Sequence, residues 1–132
     1  MSKENYIPIH GSMKRPANPD VAVIEVKKGR QEWTGGNLEV QISTEEFTSV
    51  CPTTGQPDFN HITIKYKPNK YYIESKTIKF YLWSFRDHGA HCETLAKSIA
   101  HHLHSAIEAK TIEVIVNQFP RGGVKIISTY KI

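Results

Sequence analysis

Cys51 and Asp58 are the first residues in this chain whose types and spacing suit chemistry. They stand seven apart within Ser49-Val-Cys-Pro-Thr-Thr-Gly-Gln-Pro-Asp58. The two prolines, the glycine and the hydroxyls make this segment a loop rather than the continuation of a strand. A thiol in a turn can be reached by a substrate, and its thiolate is strongly nucleophilic. A carboxylate brought back by the Gly-Gln-Pro turn can supply or remove a proton beside it. The same two residues also read as a small buried apolar side chain and a turn-capping carboxylate.

Glu74-Ser75-Lys76-Thr77-Ile78-Lys79 sets an acid, hydroxyls and two lysines at a strand-to-helix junction. Helix N-termini attract phosphate and lysine adds a point charge, so an anionic cofactor fits here; a capped helix start with solvated lysines fits as well. Arg86 and Arg121 raise the same question, because arginine can fork onto phosphate. His88, His91, Cys92 and Glu93 form a further cluster. With Cys51, His88 and Cys92 make a candidate three-ligand zinc site with one open position, although no Cys-x-x-Cys pair anchors it. Glu93 has the shape to accept the paired N–H donors of a guanine-like ring. His101, His102 and His104 lie farther on, where a packed or solvated histidine face is the plainer reading. The chain has no Gly-x-Gly-x-x-Gly or Walker-type loop, so a bound nucleotide is held by some other device.

These residues must be placed by a small set of elements. The 132 residues suit one domain, and 39% hydrophobic with 23% charged residues is ordinary globular composition. The net charge of +4 suits an anionic small ligand as well as nucleic acid and selects neither. The opening Met1-Ser-Lys-Glu-Asn-Tyr-Ile lacks the features of a signal peptide, so a cytoplasmic address is expected, where two cysteines do not make a disulfide framework. Residues 1–36 read as an irregular arm broken by prolines and glycines, with only Val21–Val26 strand-like. Residues 37–132 read as the single catalytic domain.

Within that domain Leu38, Val40 and Ile42 alternate with polar residues, as do Ile62, Ile64 and Tyr66, the period of strands with one dry face. Tyr71–Glu74 is extended and leads into a helix carrying Ile78, Tyr81, Leu82 and Phe85, which Gly89 ends by taking a left-handed conformation. A second helix carries Leu95, Ala96, Ile99, Leu103, Ala106 and Ile107. Thr111–Phe119 and Val124–Tyr130 are strands joined through Pro120-Arg-Gly-Gly123. The expected class is α+β: a four-stranded antiparallel sheet with two helices on one face. Its open edges call for closure by neighbouring subunits.

Glu46-Phe-Thr-Ser-Val-Cys-Pro-Thr-Thr-Gly-Gln-Pro-Asp-Phe59, Glu74-Ser-Lys-Thr-Ile-Lys-Phe-Tyr-Leu82, Ser84-Phe-Arg-Asp-His-Gly89 and Phe119-Pro-Arg-Gly-Gly123, in this order, resemble the short form of the NADPH-dependent 7-cyano-7-deazaguanine reductases, or QueF enzymes. The likeness covers roughly residues 38–128. It implies the tunnelling fold of the GTP cyclohydrolase I-like superfamily, in which sheets from several subunits close into a barrel with the active sites between them. It makes Cys51 the nucleophile that forms a thioimide with the nitrile and Asp58 the proton donor. Ile73, Glu74 and Ser75 become the substrate-binding segment, joined by Cys92 and Glu93. Lys76, Lys79, Arg86 and Arg121 become candidates for the NADPH phosphates. The chain departs from the pattern at Cys92, where the family usually has histidine, and slightly at Thr77 and Phe80.

The activity implied is a four-electron nitrile reduction feeding queuosine synthesis for tRNA, in a homo-oligomer with no metal, no direct nucleic-acid contact and no membrane. A zinc-dependent cyclohydrolase of the same fold is the alternative, through Cys51, His88 and Cys92. An amidinotransferase relative would pass ammonia rather than hydride. A basic nucleic-acid-binding module rests on charge alone.

Overall fold

The computed structural model describes residues 15–29 and 37–132. Along the chain lie β1 (Val26–Lys28), β2 (Val40–Val50), β3 (Pro57–Lys67), β4 (Tyr71–Ile73), α1 (Ser75–Trp83), α2 (Cys92–Ile107), β5 (Thr111–Arg121) and β6 (Val124–Lys131). Four strands form an antiparallel sheet in the order β2-β3-β5-β6. The α+β class, the four-stranded sheet and the two helices thus match expectation. One face of the sheet is dry. Ile62, Ile64 and Tyr66 of β3 and Ile112, Val114 and Val116 of β5 pack into one core with Ile78 and Tyr81 of α1 and Leu95, Ile99, Leu103 and Ile107 of α2. Alternation along the strands and the helical period of the apolar residues bring these side chains to one seam, whose burial drives the fold.

Β1 and β4 form a small second sheet, with Val26 opposite Ile73. The strand-like stretch expected at Val21–Val26 therefore starts only at its last residue and runs to Lys28. Ile24 before it is buried in the core, and the Glu74 N–H donates to the Glu25 carbonyl at 3.0 Å, so this segment supports the start of α1. The rest of the expected arm, residues 1–14 and 30–36, lies outside the described residues.

Two bulges shape the end of the sheet that carries Cys51. Glu45 and Glu46 of β2 face the single residue His61 of β3, since Thr44 pairs with Ile62 and Phe47 with Asn60. The extra residue shifts the phase of β2, so that Phe47 and Ser49 turn into the core. Phe119 and Pro120 of β5 likewise face Lys125 of β6 alone, between the pairs Gln118–Ile126 and Arg121–Val124. Proline has no N–H to offer the ladder and is tolerated at such a bulge. Gly122 and Gly123, at φ 57° and 78°, then make the two-residue hairpin turn that only positive φ allows.

The connection between β2 and β3 is shorter than the wide loop expected. Ser49 pairs with Asp58 and Val50 with Pro57, leaving only residues 51–56 as the turn. Helix α1 ends at Trp83 with Ser84 in the right-handed region, and Gly89 is not left-handed. A Cβ at Gly89 would lie 3.4 Å from both Cα and Cβ of Pro52, so what glycine supplies there is close approach. The left-handed helix end is Glu108, at φ 51°, after α2.

Candidate active site

Cys51 opens the β2–β3 turn. Its N–H donates to the Gln56 carbonyl at 2.8 Å and its carbonyl accepts from the Gly55 N–H at 2.8 Å, closing the turn on itself. The Gln56 N–H donates to Thr54 Oγ1 at 3.3 Å. This arrangement lowers the Cys51 thiol from 9.0 to about 6. The Thr54 hydroxyl contributes most, followed by the backbone of Thr54 and Thr53, while burial opposes the shift and Arg121 adds a smaller favourable part. At neutral pH the sulfur is therefore mainly thiolate, the form that attacks electrophiles.

Asp58 sits on β3 with its side chain 5% exposed, and its Oδ1 is 3.4 Å from Nη1 of Arg121. Arg121 thus faces Asp58, and its charge also favours the Cys51 thiolate. Around them the sheet's dry face turns polar: Ser49, Asn60 and Gln118 are all buried, and Ser49 Oγ and both amide atoms of Asn60 have no partner among the described residues. Buried polar groups left unpaired are costly, and their concentration beside a nucleophile marks this end of the core as built for more than packing.

The other expected residues divide between a groove and the core. Ile73, Ser75, Lys79 and Arg86 line a groove of about 1060 Å³ between β2 and α1, whose walls include Val40, Ile42, Phe47, Ile78 and Leu82. Lys76 is exposed on the first turn of α1. Glu74 is the N-cap of that helix, its Oε2 accepting from the N–H groups of Lys76 and Thr77 at 3.0 Å each. Glu93 is exposed in the first turn of α2. Neither Cys51 nor Asp58 lines the groove, so within one chain nucleophile and groove are distinct features.

Cys92 goes elsewhere. It is 3% exposed, with Sγ facing the carbonyls of Val116 and Ile126 at 3.6 and 3.8 Å and Ser128 Oγ at 3.5 Å. Its thiol thus takes a core position between α2 and the β5–β6 pair, away from the groove. The same placement removes Cys92 from the zinc alternative. Among the described residues no three His, Cys, Asp or Glu side chains are grouped to hold a metal. His101 and His102 are engaged by tyrosines, at 3.1 Å to Tyr130 Oη and 2.7 Å to Tyr81 Oη.

Thr54 and Gln118 were not anticipated. Gln118 had a signal: it continues the inward phase of Ile112, Val114 and Val116, as Asn60 does that of Ile62, Ile64 and Tyr66. A polar residue at an inward position of an otherwise apolar strand face asks for a partner.

Comparison with known proteins bears on what these residues serve. The model of the family described as QueF-like protein matches residues 57–132. The NADPH-dependent 7-cyano-7-deazaguanine reductase of Rhizobium rhizogenes is 46% identical over 110 residues, covering 83% of this chain and 70% of that protein. The chain belongs to the QueF-like family. The Ruegeria pomeroyi protein of the same name is 40% identical over 122 residues, covering 92% of this chain and 77% of its own length. A crystal structure titled as the archaeosine synthase QueF-Like in the apo form superposes with a TM-score of 0.68 at 21% identity, covering 73% of this chain and 94% of that one. At that identity the likeness concerns the fold alone.

Proposed function

We propose that this chain is an NADPH-dependent 7-cyano-7-deazaguanine reductase acting in queuosine biosynthesis. The observation that carries the reading is the turn that holds Cys51 as a thiolate, in a chain whose relatives at 40–46% identity bear that enzyme's name. A nitrile is a poor hydride acceptor. Addition of the Cys51 sulfur to its carbon, with a proton from Asp58 to its nitrogen, gives a thioimide whose C=N carbon accepts hydride more readily, and the covalent bond keeps the intermediate in place. NADPH supplies the hydrides, two molecules for the four-electron change. Between the two additions the Cys51 thiolate departs to leave an imine, which the second hydride and a proton convert to the primary amine.

The groove suits an anionic nucleotide, since its apolar walls end in Lys79 and Arg86, with Lys76 exposed on the same helix. Those three are the proposed phosphate ligands. Ile73, Glu74, Ser75 and Glu93 are the proposed contacts to the deazaguanine, where the two carboxylates would take the ring's paired N–H donors.

The site is proposed to be completed by a second subunit in a barrel of the tunnelling-fold kind. Two features favour it: among the described residues β2 and β6 are paired on one side only, and Phe59 and Ile127, 50% and 55% exposed, are large apolar side chains on β3 and β6. The working compartment is the cytoplasm, and no direct contact with nucleic acid is involved. Oxidation of NADPH followed at saturating enzyme tests the activity: two NADPH are consumed for each 7-cyano-7-deazaguanine, with the aminomethyl product identified by mass. Turnover of GTP dependent on added zinc, without NADPH oxidation, would instead favour the cyclohydrolase alternative.

A further inference from the structure

Arg121 is committed within the chain. Its Nη1 faces Oδ1 of the nearly buried Asp58 at 3.4 Å. With the Gln118 amide oxygen turned toward it, that oxygen accepts from Nε at 2.9 Å and from Nη2 at 3.1 Å. The backbone is built for this reach. In a regular strand Arg121 and Gln118, three apart, would face opposite sides of the sheet; the bulge at Phe119-Pro120 returns Arg121 to the side of Gln118 and Asp58. The Gly122-Gly123 turn follows at once.

These contacts use Nε and both terminal nitrogens. One N–H on each terminal nitrogen is left outside them and the side chain is 45% exposed, but turning the guanidinium to lay its plane on another group would strip a carboxylate that is 5% exposed or an amide that is 3% exposed of its partner. Leaving either unpaired is costly. We infer that Arg121 is a positioning residue rather than a cofactor-phosphate ligand: anchored on Gln118, it holds the Asp58 carboxyl beside the turn that carries Cys51, so that proton and nucleophile reach the two ends of the same nitrile. The inference rests on the reductase reading above.

The step it serves balances without a redox partner. The Cys51 thiolate forms the C–S bond as one C–N π bond breaks. That electron pair moves to nitrogen, which takes a proton from Asp58, the one that the Cys51 thiol gave up to this carboxylate on forming the thiolate. The carboxylate left behind is stabilised by the cation already beside it. Nothing is oxidised or reduced, so this half-reaction runs with no NADPH present.

That independence gives the test. The rate of adduct formation is measured by stopped-flow absorbance and intact mass without NADPH, and kcat and the NADPH KM are measured at steady state, for the wild-type, Arg121→Lys and Arg121→Met proteins. Misplaced proton transfer costs on the order of a hundredfold. Arg121→Met is expected to slow the adduct by about that factor with the NADPH KM unchanged. Arg121→Lys is expected to fall between, keeping the charge but not the fork. Adduct formation at the wild-type rate in both variants, with a raised NADPH KM, overturns the inference in favour of phosphate binding. Gln118→Met, which removes the second anchor but no charge, keeps the question open to measurement if Arg121→Met fails to fold; it too is expected to slow the adduct, and a wild-type rate counts against the inference. A wild-type protein that forms no adduct at all overturns the reductase reading itself, a result distinct from unaffected variants.

Discussion

Val50 and Gly89 form a parallel bridge: the Val50 N–H donates to the His88 carbonyl at 3.1 Å, and its carbonyl accepts from the Ala90 N–H at 3.1 Å. The bridge ties the residue before the nucleophile to the segment that leads into α2 and Glu93. A Cβ at Gly89 would already touch Pro52, at 3.4 Å from its Cα and Cβ, which leaves no room on that side for a branched side chain. Gly89→Val is therefore expected to push Pro52 and the Cys51 turn aside. Displacing a reacting group by an ångström costs up to about a hundredfold in rate, so adduct formation should slow by roughly tenfold or more while the melting temperature falls by only a few degrees, since the turn is exposed on its outer side. Stopped-flow and thermal melts on the same sample check both parts.

The acidity of Cys51 predicts a pH profile. With the thiol at about 6, alkylation by iodoacetamide should rise through that pH and level off about a unit above it. Thr54→Val removes the largest favourable contribution and should move the midpoint up toward the free-thiol value of 9.0, while Thr54→Ser should hold it. The sign for stability follows from the same shift. Folding lowers the value, so the contribution of Cys51 to stability is lost as pH falls through about 6 and is complete only above 9.0. Melts of wild type against Cys51→Ala should diverge as pH rises across that window.

Cys92 should behave as a core residue. Cys92→Ala removes one buried atom and the contacts it makes to β5 and β6, an expected loss on the order of 1 kcal/mol in stability with kcat unchanged. Peptide mapping after brief alkylation of the native protein should find label at Cys51 and little at Cys92.

Glu74 has two roles to separate. Its Oε2 caps α1, leaving Oε1 outside those two bonds. Serine is as good a cap but brings no charge. Glu74→Ser should therefore melt within a few degrees of wild type yet bind 7-cyano-7-deazaguanine roughly tenfold or more weakly, the worth of a hydrogen bond to a charged group. Calorimetry on a Cys51→Ala background reads binding without the adduct; equal affinity would leave Glu74 as a cap alone.

Much of this was legible in the chain because it depends on period. The alternation of Ile62, Ile64 and Tyr66 and the helical spacing of Leu95, Ile99 and Leu103 name one core face and give the α+β order directly. What period cannot show is a change of phase. The bulge at Glu45-Glu46 carries β2 through to Val50 and turns Ser49 inward, where the prolines and hydroxyls of the sequence pointed to a long loop. The bulge at Phe119-Pro120 likewise decides which way Arg121 faces. Gly89 was legible as a special position, but its reason is a neighbour far off in sequence. For Cys92 the local cluster of histidines suggested a ligand, and only the docking of α2 on β6 shows that the thiol points inward.

The central claim is that Cys51 captures the nitrile carbon. Incubating the protein with 7-cyano-7-deazaguanine in the absence of NADPH and measuring intact mass tests it most directly. The account predicts a species heavier by one whole substrate molecule, located by fragmentation to the peptide that contains Cys51, discharged on adding NADPH and absent in Cys51→Ala. A wild-type protein that turns over nitrile with no such species, or a Cys51→Ala variant that still forms one, contradicts it.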